Sequence, residues 1–327
     1  MVMADAAEVY IGVDIGGTKV AAGLVNTNGE ILYKTRNPMQ ARGSAADGLA
    51  SVQGAIDKAL RENPEAKIHG IGLISPGPVD PQTGTILNPA NLPCWRDFPL
   101  AAEVQRVYKL PAHVHNDANA AGLAEALWGA GVGYKCMFYA TIGTGIGTAI
   151  TYNAQLYLGR TGAAGEGGHN TIDYRGTKCR CGKSGCIETF ASGWAIAARA
   201  QDRLTREGSR GQRILELAGG SREKVTSETL AKAWEEGDLL ATEILRETAD
   251  ILAVWFGNVV DLLEPDVIVV GGGISHLIAQ WFDRIAEQLP FWSVNSRCGE
   301  VPFAEAKYRA DSGIVGAAAL CVARALL

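Results

Sequence analysis

The chain has no run rich in lysine or arginine, and its 30 basic residues are outnumbered by 35 acidic ones, for a formal charge of −5. That balance excludes a protein that grips nucleic acid through a broad basic face. No stretch approaches the roughly 20 consecutive apolar residues needed to cross a bilayer. The opening Met-Val-Met-Ala-Asp-Ala-Ala-Glu has neither the basic region nor the apolar run of a secretory leader. Nothing resembles a long low-complexity linker. These absences lead to the expectation of a cytoplasmic protein without nucleic-acid or membrane partners. What remains is an ordinary globular balance, 47% hydrophobic and 20% charged over 327 residues. That length suits about two domains of roughly 150 residues each.

Glycine is in excess, at 40 residues against a usual share of about 7%, and it clusters in short motifs, as it does where backbone must approach a ligand closely. Cysteine is unevenly placed. Cys94, Cys136, Cys298 and Cys321 are scattered in mostly apolar surroundings, as buried thiols in a reducing compartment would be. Cys179, Cys181 and Cys186 instead form a Cys-x-Cys-x4-Cys cluster ten residues after His169. One imidazole and three thiols make a full tetrahedral set for a structural zinc ion, and Gly182 and Gly185 form a knuckle that lets thiolates converge. Four protein ligands would leave no position for an activated water. The alternative is a redox dithiol or inert thiols. Glu166 and Glu188 bracket the cluster, so the knot is expected to hold a polar binding surface in place.

Hydrophobic periodicity outlines the rest. Val9–Val13, Val20–Val25 and Glu30–Lys34 read as a strand meander around Asp14-Ile-Gly-Gly-Thr-Lys19, followed by a helix over Ala45–Arg61. Ile68–Ile74 is a buried strand ending in Ser75-Pro-Gly-Pro78. Ala112–His115 is another, delivering Asn116-Asp117 to a helix that runs to about Trp128. Met137–Thr141, a turn at Gly143-Thr-Gly-Ile-Gly147 and Ala149–Tyr152 then repeat the shape of Val13–Val25, a weak internal repeat that suggests two similar halves whose glycine hairpins face a shared cleft. Helices are expected at Trp194–Arg206, Ser227–Glu235 and Leu239–Leu263. A strand at Val267–Val270 feeds Gly271-Gly-Gly273 and a helix over Ser275–Gln288, and a last helix opens with Ser312 as its cap.

The two hairpins carry the phosphate hypothesis. In the first, Gly16 and Gly17 free backbone N–H groups to reach phosphate oxygens, Thr18 and Lys19 add donors, and Asp14 can hold Mg²⁺ directly or through water. It is not a Walker A loop, which needs Gly-x4-Gly-Lys-Ser/Thr before a helix. The competing reading is a tight surface hairpin. In the second, Gly143, Thr144 and Gly145 precede a strand, so the dinucleotide fingerprint does not apply. Gly271, Gly272 and Gly273 can admit an adenine or ribose, although a helix-entry turn explains them equally. Asp117 at a strand-to-helix junction can accept a proton from a substrate hydroxyl, or can simply be the helix N-cap.

Taken in order, these motifs resemble the ROK family, named for repressors, open reading frames and kinases, whose sugar kinases belong to the actin-like ATPase (ribonuclease H-like) superfamily. The most specific part is Gly165-Glu166-x-Gly-His169 followed by Cys-x-Cys-Gly-x-x-Gly-Cys-x-Glu. The resemblance implies an α/β two-domain fold around an ATP and sugar cleft. Its smaller domain would be 1–116 plus 311–327, with the final helix packing back on it. Its larger would be 117–310, with the zinc segment and a helical insertion. It implies Asp117 as the base on a sugar 6-hydroxyl, and Gly77, Asn91, Asn116, Glu166, His169 and Glu188 as sugar contacts. Asp14, Thr18, Lys19 and Gly143–Gly145 would face ATP phosphates and Mg²⁺, and Gly271–Gly273 the nucleoside. Family repressors carry a helix-turn-helix before the first glycine motif. Only about thirteen residues precede Asp14 here, which favours the kinase branch. The implied activity is ATP-dependent phosphorylation of a hexose, with glucose as first choice. N-acetylmannosamine, another aldohexose, or polyphosphate as donor are rivals, and a non-catalytic sugar sensor is a different class of reading. A homodimer or tetramer is implied. The chain departs from the family pattern at Gly147-Thr-Ala149, where more glycine is usual, and at the turn Tyr152-Asn-Ala-Gln155, where Asp-Gly or Asn-Gly is common.

Overall fold

Val9–Ile15 (β1), Ile68–Ser75 (β4) and Ala112–Asn116 (β7) form the parallel centre of one sheet in the computed structural model, which describes residues 8–207 and 210–325. The opening Met1–Ala7, on which the absence of a leader was read, lies outside the described residues. Strands buried on both faces read as near-continuous apolar runs. Ile11, Ile71 and Leu73 are fully buried, each contributing on the order of 1.5–3 kcal/mol by leaving water. Lys19–Asn26 (β2) returns antiparallel to β1, and Ile31–Pro38 (β3) returns antiparallel to β2, giving the order β3-β2-β1-β4-β7. Val79–Asp80 (β5) and Thr85–Ile86 (β6) make a separate two-stranded ribbon.

The second sheet repeats this plan. Cys136–Ile142 (β8), Ile146–Tyr152 (β9) and Gln155–Leu156 (β10) form the meander, and Val267–Gly271 (β11) and Phe303–Glu305 (β12) add in parallel. The order β10-β9-β8-β11-β12 matches the first sheet strand for strand. The weak sequence repeat is therefore a full repeat of topology, and the α/β class holds. The two hairpins differ in closure. Gly16 N–H donates to Lys19 O at 2.9 Å, whereas Gly143 N–H donates to Gly145 O at 2.9 Å, a turn one residue tighter.

The described chain forms two compact units. One contains the residues up to Gly133, with Ala149–Ala164 and the segment from Ala310 onward; the other contains Tyr134–Thr148 and Gly165–Arg309. The first division thus follows Gly133, where the sequence placed it between 116 and 117, so the helix after Asn116 stays with the first unit.

In the first unit, Ala45–Glu62 (α1) starts from a capping box in which Ser44 and Asp47 satisfy each other's backbone N–H groups. Leu100–Tyr108 (α2) and Asp117–Trp128 (α3) follow. In the second unit come Glu188–Ala191 (α4), Gly193–Arg206 (α5), Gln212–Leu217 (α6), Ser227–Glu235 (α7) and Leu239–Leu263 (α8). The single helix expected over Ser275–Gln288 is two, Ser275–Ala279 (α9) and Phe282–Gln288 (α10). The break at Gln280 and Trp281 lets the Trp281 ring pack against Trp234, with centroids 6.4 Å apart. Ser312–Ala325 (α11) begins at Ser312 itself after a 3-10 turn over Arg309–Asp311, so Ser312 is the first helical residue and not its cap.

Glycine decides how α11 lies. A Cβ on Gly12 of β1 would sit 1.9 Å from Ile314 O, and one on Gly72 of β4 would sit 1.7 Å from Ala317 O. Only residues without a side chain admit the helix backbone onto the sheet at this distance. On its other side, Gly316 meets the backbone of Ala120 and Ala121 of α3 within 3 Å of a would-be Cβ. Thus α11 fixes α3, and α3 carries Asp117.

Among the described residues no helix is long and apolar enough to cross a membrane.

Candidate active site and metal centre

Parallel strands deliver their carboxyl ends to one edge of the sheet, where open α/β folds place their ligands. In the first unit Asp14 pairs with Ile74 and Ser75 with Asn116, so Asp14, the Ser75-Pro-Gly-Pro78 turn and Asn116-Asp117 leave the sheet at the same edge. A Cβ on Gly17 would lie 2.9 Å from Asn91 O, so the first glycine hairpin and the Asn-Pro-Ala-Asn segment also meet. Gly77 has open space where a side chain would be.

Asn116, and not Asp117, caps α3: its side-chain oxygen accepts from Asn119 N–H at 2.9 Å. The capping alternative for Asp117 is thereby removed. One Asp117 oxygen accepts from Ala118 N–H at 2.8 Å, and the residue is exposed. Although its carboxylate has solvent access, the protein crowded around it withdraws enough water to hold its pKa above the ordinary carboxylate value, against the lowering effect of the Ala118 N–H. Desolvation also raises Asp14, and the negative charge of Asp117 raises it further, with Lys19 and Arg36 pulling the other way. Two neighbouring carboxyls, both held high, make a locally negative edge suited to a proton acceptor and a cation.

A residue that pattern reading missed supports Asp14. A Cβ on Gly313, in the first turn of α11, would fall 2.5 Å from Asp14 Oδ2. Its only sequence signal was a glycine inside the first turn of a helix, where its backbone cost needs a reason.

In the second unit, Thr141 pairs with Gly271, which brings the second hairpin and Gly271–Gly273 to one edge. A Cβ on Gly143 would stand 3.6 Å from Gly273 N, and Ile274 N–H donates to Ile142 O at 3.2 Å. Gly193 N–H donates to Gly143 O at 2.7 Å. Ser192, fully buried, caps α5 through Ala195 N–H. Neither Ser192 nor Gly193 was singled out from sequence, because Ser-Gly before a helix looks like punctuation.

The zinc-knot residues converge. One ligand atom from each of His169, Cys179, Cys181 and Cys186 lies within 4.8 Å of the others. Cys179 Sγ is 3.6 Å from His169 Nδ1, and Cys181 Sγ is 3.7 Å from Cys186 Sγ. Two sulfurs at about 2.3 Å from a tetrahedral centre would be about 3.8 Å apart, so donor chemistry and spacing both fit such an ion. Lys183 Nζ donates to His169 O at 2.7 Å and steadies that backbone. Since Nδ1 faces the sulfurs, Nε2 is the ring nitrogen left for another partner.

The two carboxylates beside the knot are held differently. Glu166 is exposed and starts the 3-10 turn Gly167–His169, its carbonyl accepting from His169 N–H at 3.0 Å. Glu188 heads α4, and its Oε2 accepts from Ile146 N–H of the second glycine hairpin at 3.0 Å. A Cβ on Gly145 would lie 2.6 Å from that oxygen. Pattern reading placed Glu188 with the sugar; its tie to the hairpin was not visible, since 42 residues separate the partners.

The ROK family profile matches residues 10–324. The chain is 34% identical to a glucokinase of Halalkalibacterium halodurans over 310 residues, covering 94% of this chain and 93% of that protein. It is 30% identical to an N-acetylmannosamine kinase of Yersinia pseudotuberculosis, covering 94% and 96%. Its structure is similar to that of a ROK family glucokinase from Streptomyces griseus in complex with glucose and AMPPNP, with a TM-score of 0.79, 32% identity, and 95% and 98% of the two chains covered. A doubled five-stranded plan, glycine hairpins at both sheet edges and a family match over nearly the whole length lead to one conclusion: the chain belongs to the ROK family and has its mixed α/β, actin-like ATPase fold.

Proposed function

We propose that the protein is an ATP-dependent hexokinase that phosphorylates the 6-hydroxyl of glucose. The observation that carries this reading is Asp117: an exposed carboxylate at the head of α3, relieved of capping by Asn116 and with a raised pKa. Similarity to glucokinases over nearly their whole length supports the substrate. Phosphoryl transfer asks the protein mainly for alignment and charge neutralisation. Asp117 accepts the proton of the 6-hydroxyl as its oxygen bonds to the γ-phosphorus and the bond to the ADP oxygen breaks. Its raised pKa makes it a better acceptor than a free aspartate. Glu166 and His169 receive sugar hydroxyls, with Asn91, Asn116 and Gly77 completing the contacts. Glu188 brings its second oxygen, Oε1, to the same task. Amides of Gly16–Thr18 and Gly143–Gly145, with Lys19, line the phosphates, and Gly271–Gly273 the nucleoside.

Two metal ions belong to this reading. Asp14, with its carboxyl at the negative edge, would hold Mg²⁺, which supplies charge neutralisation on the phosphates. His169, Cys179, Cys181 and Cys186 would hold Zn²⁺ in a closed shell, which supplies rigidity. The buried free thiols of Cys136, Cys298 and Cys321 support a reducing, cytoplasmic setting.

A coupled ADP-release assay across glucose, mannose, fructose, allose and N-acetylmannosamine tests the proposal. Glucose should give the highest kcat/KM. A preference for N-acetylmannosamine would replace glucose with the second reading, which the 30% identical kinases favour. No ADP release with any sugar would leave a sugar sensor.

A further inference from the structure

Thr148 is the polar residue of the Gly147-Thr-Ala149 stretch, and nothing assigned so far uses it. It is 3% exposed and lies on β9, two residues beyond Ile146. Its hydroxyl donates to Gly165 O and accepts from Gly167 N–H at 2.8 Å. Those are the residues on either side of Glu166.

The segment it grips is poor in side chains. Gly165, Gly167 and Gly168 have no side chains, and Gly165 has φ of 84°, so this loop has an unusually large conformational freedom to lose. The two latter glycines are required by close packing: a Cβ on Gly168 would stand 1.9 Å from Ile146 O, and one on Gly167 2.9 Å from Thr148 Oγ1. A glycine loop pressed against a strand needs a polar anchor to choose one conformation, and a hydroxyl can donate and accept at once. Ile146 and Thr148 thus hold the two carboxylates from alternate positions of one strand: the Ile146 N–H holds Glu188 directly, and the Thr148 hydroxyl holds Glu166 through the peptide groups that flank it.

We infer that Thr148 is a positioning residue for sugar binding, fixing the Glu166 carboxylate by clamping the backbone on both sides of it. This rests on the reading of Glu166 as a sugar contact. Losing the clamp leaves Glu166 chemically intact but distributed over several directions, so the sugar must order it on binding. The cost falls on sugar affinity and not on nucleotide affinity.

Steady-state kinetics on Thr148→Val, Thr148→Ser, Glu166→Gln and the Thr148→Val/Glu166→Gln double variant test the inference, with thermal melting of each. Thr148→Val keeps the volume and removes both hydrogen bonds. The KM for the sugar should rise about tenfold while the KM for ATP stays within about twofold. Thr148→Ser, which keeps the hydroxyl, should restore the sugar KM to within about threefold of wild type. The double variant should bind sugar no more weakly than Glu166→Gln alone, because the clamp acts only through Glu166. Equal rises in both KM values for Thr148→Val, or additive losses in the double variant, would mean a general structural role and overturn the inference. So would failure of serine to rescue. If Glu166→Gln leaves the sugar KM unchanged, the assignment of Glu166 falls and the inference with it. A sugar effect for Glu166→Gln with none for Thr148→Val would remove the inference alone.

Discussion

Glu188 Oε2 accepts a hydrogen bond from Ile146 N–H at 3.0 Å, while Glu188 Oε1 lies 4.0 Å from the Cys179 sulfur. One carboxylate therefore joins the cysteine knot to the hairpin that reads as the phosphate loop. A metal held by the knot would steady both.

Gly145→Ala tests this link. The new Cβ would land 2.6 Å from Glu188 Oε2 and push the carboxylate off Ile146. The KM for ATP and the KM for the sugar should both rise, each by about ten- to hundredfold, as expected when one charged hydrogen bond is lost. Steady-state kinetics with each substrate varied will read this; a change in one KM alone would show that Glu188 serves a single ligand.

Asp117→Asn should lower phosphorylation by at least about a hundredfold while sugar affinity stays within about tenfold, because a base acts mainly in the transition state. The variant should melt no lower than wild type. A carboxyl whose pKa is higher in the folded state binds its proton more tightly there, so stability falls as pH rises through the window between the unfolded and folded values. At neutral pH the ionised form is the costly one, and a neutral amide removes that cost. Calorimetry and an ADP-release assay check both halves, and near-normal turnover would end the assignment.

The acid limb of kcat/KM follows from the same shift. The base must be ionised, and its pKa is raised by desolvation. Activity should therefore fade with decreasing pH above the value of about 3.9 for a free aspartate. A limb at or below that value would place the essential base elsewhere.

Cys181→Ala should lose metal and sugar affinity together. His169 Nδ1 points to the sulfurs, so a metal held by the knot would orient the ring whose other nitrogen is proposed to meet the sugar. Metal content by mass spectrometry and sugar binding by calorimetry check this. A metal-free wild-type enzyme with full activity would contradict it.

Ala154→Gly should stabilise the protein by about 1 kcal/mol. Asn153 and Ala154 form the two-residue turn between β9 and β10, with φ of 51° and 56°. Asparagine tolerates that conformation, but alanine has no side-chain hydrogen bond to offset the crowding of its Cβ. Chemical denaturation reads the difference, and an unchanged midpoint would show that the turn relaxes.

The features legible in the sequence were those encoded by neighbours. Val9–Ile15 and Val267–Gly271 announced buried strands by unbroken apolar runs, and the cysteine knot showed itself in its own spacing. The helices expected at Ser227–Glu235 and Leu239–Leu263 have those bounds in the structure, where Thr226 and Asp238 cap them. What was not legible depends on partners distant in the chain. Gly12 and Gly72 matter because of Ile314 and Ala317, Gly313 because of Asp14, and Thr148 because of Gly165 and Gly167. Asn116 and Asp117 are adjacent and both fit a helix start. Only the geometry of the Asn119 N–H shows which of the two is the cap.

The seating of α11 on Gly12 and Gly72 carries a consequence for synthesis. The strands are made first and the helix last, and the whole second unit emerges between them. While the ribosome reads that intervening stretch, the first sheet has no cover on the face that α11 will occupy, and Asp117 sits on a helix with one flank unsupported. Domains generally fold as units as they emerge. Here the second unit is synthesised in full before the first can be completed, so the first sheet must wait for the end of the chain to be covered.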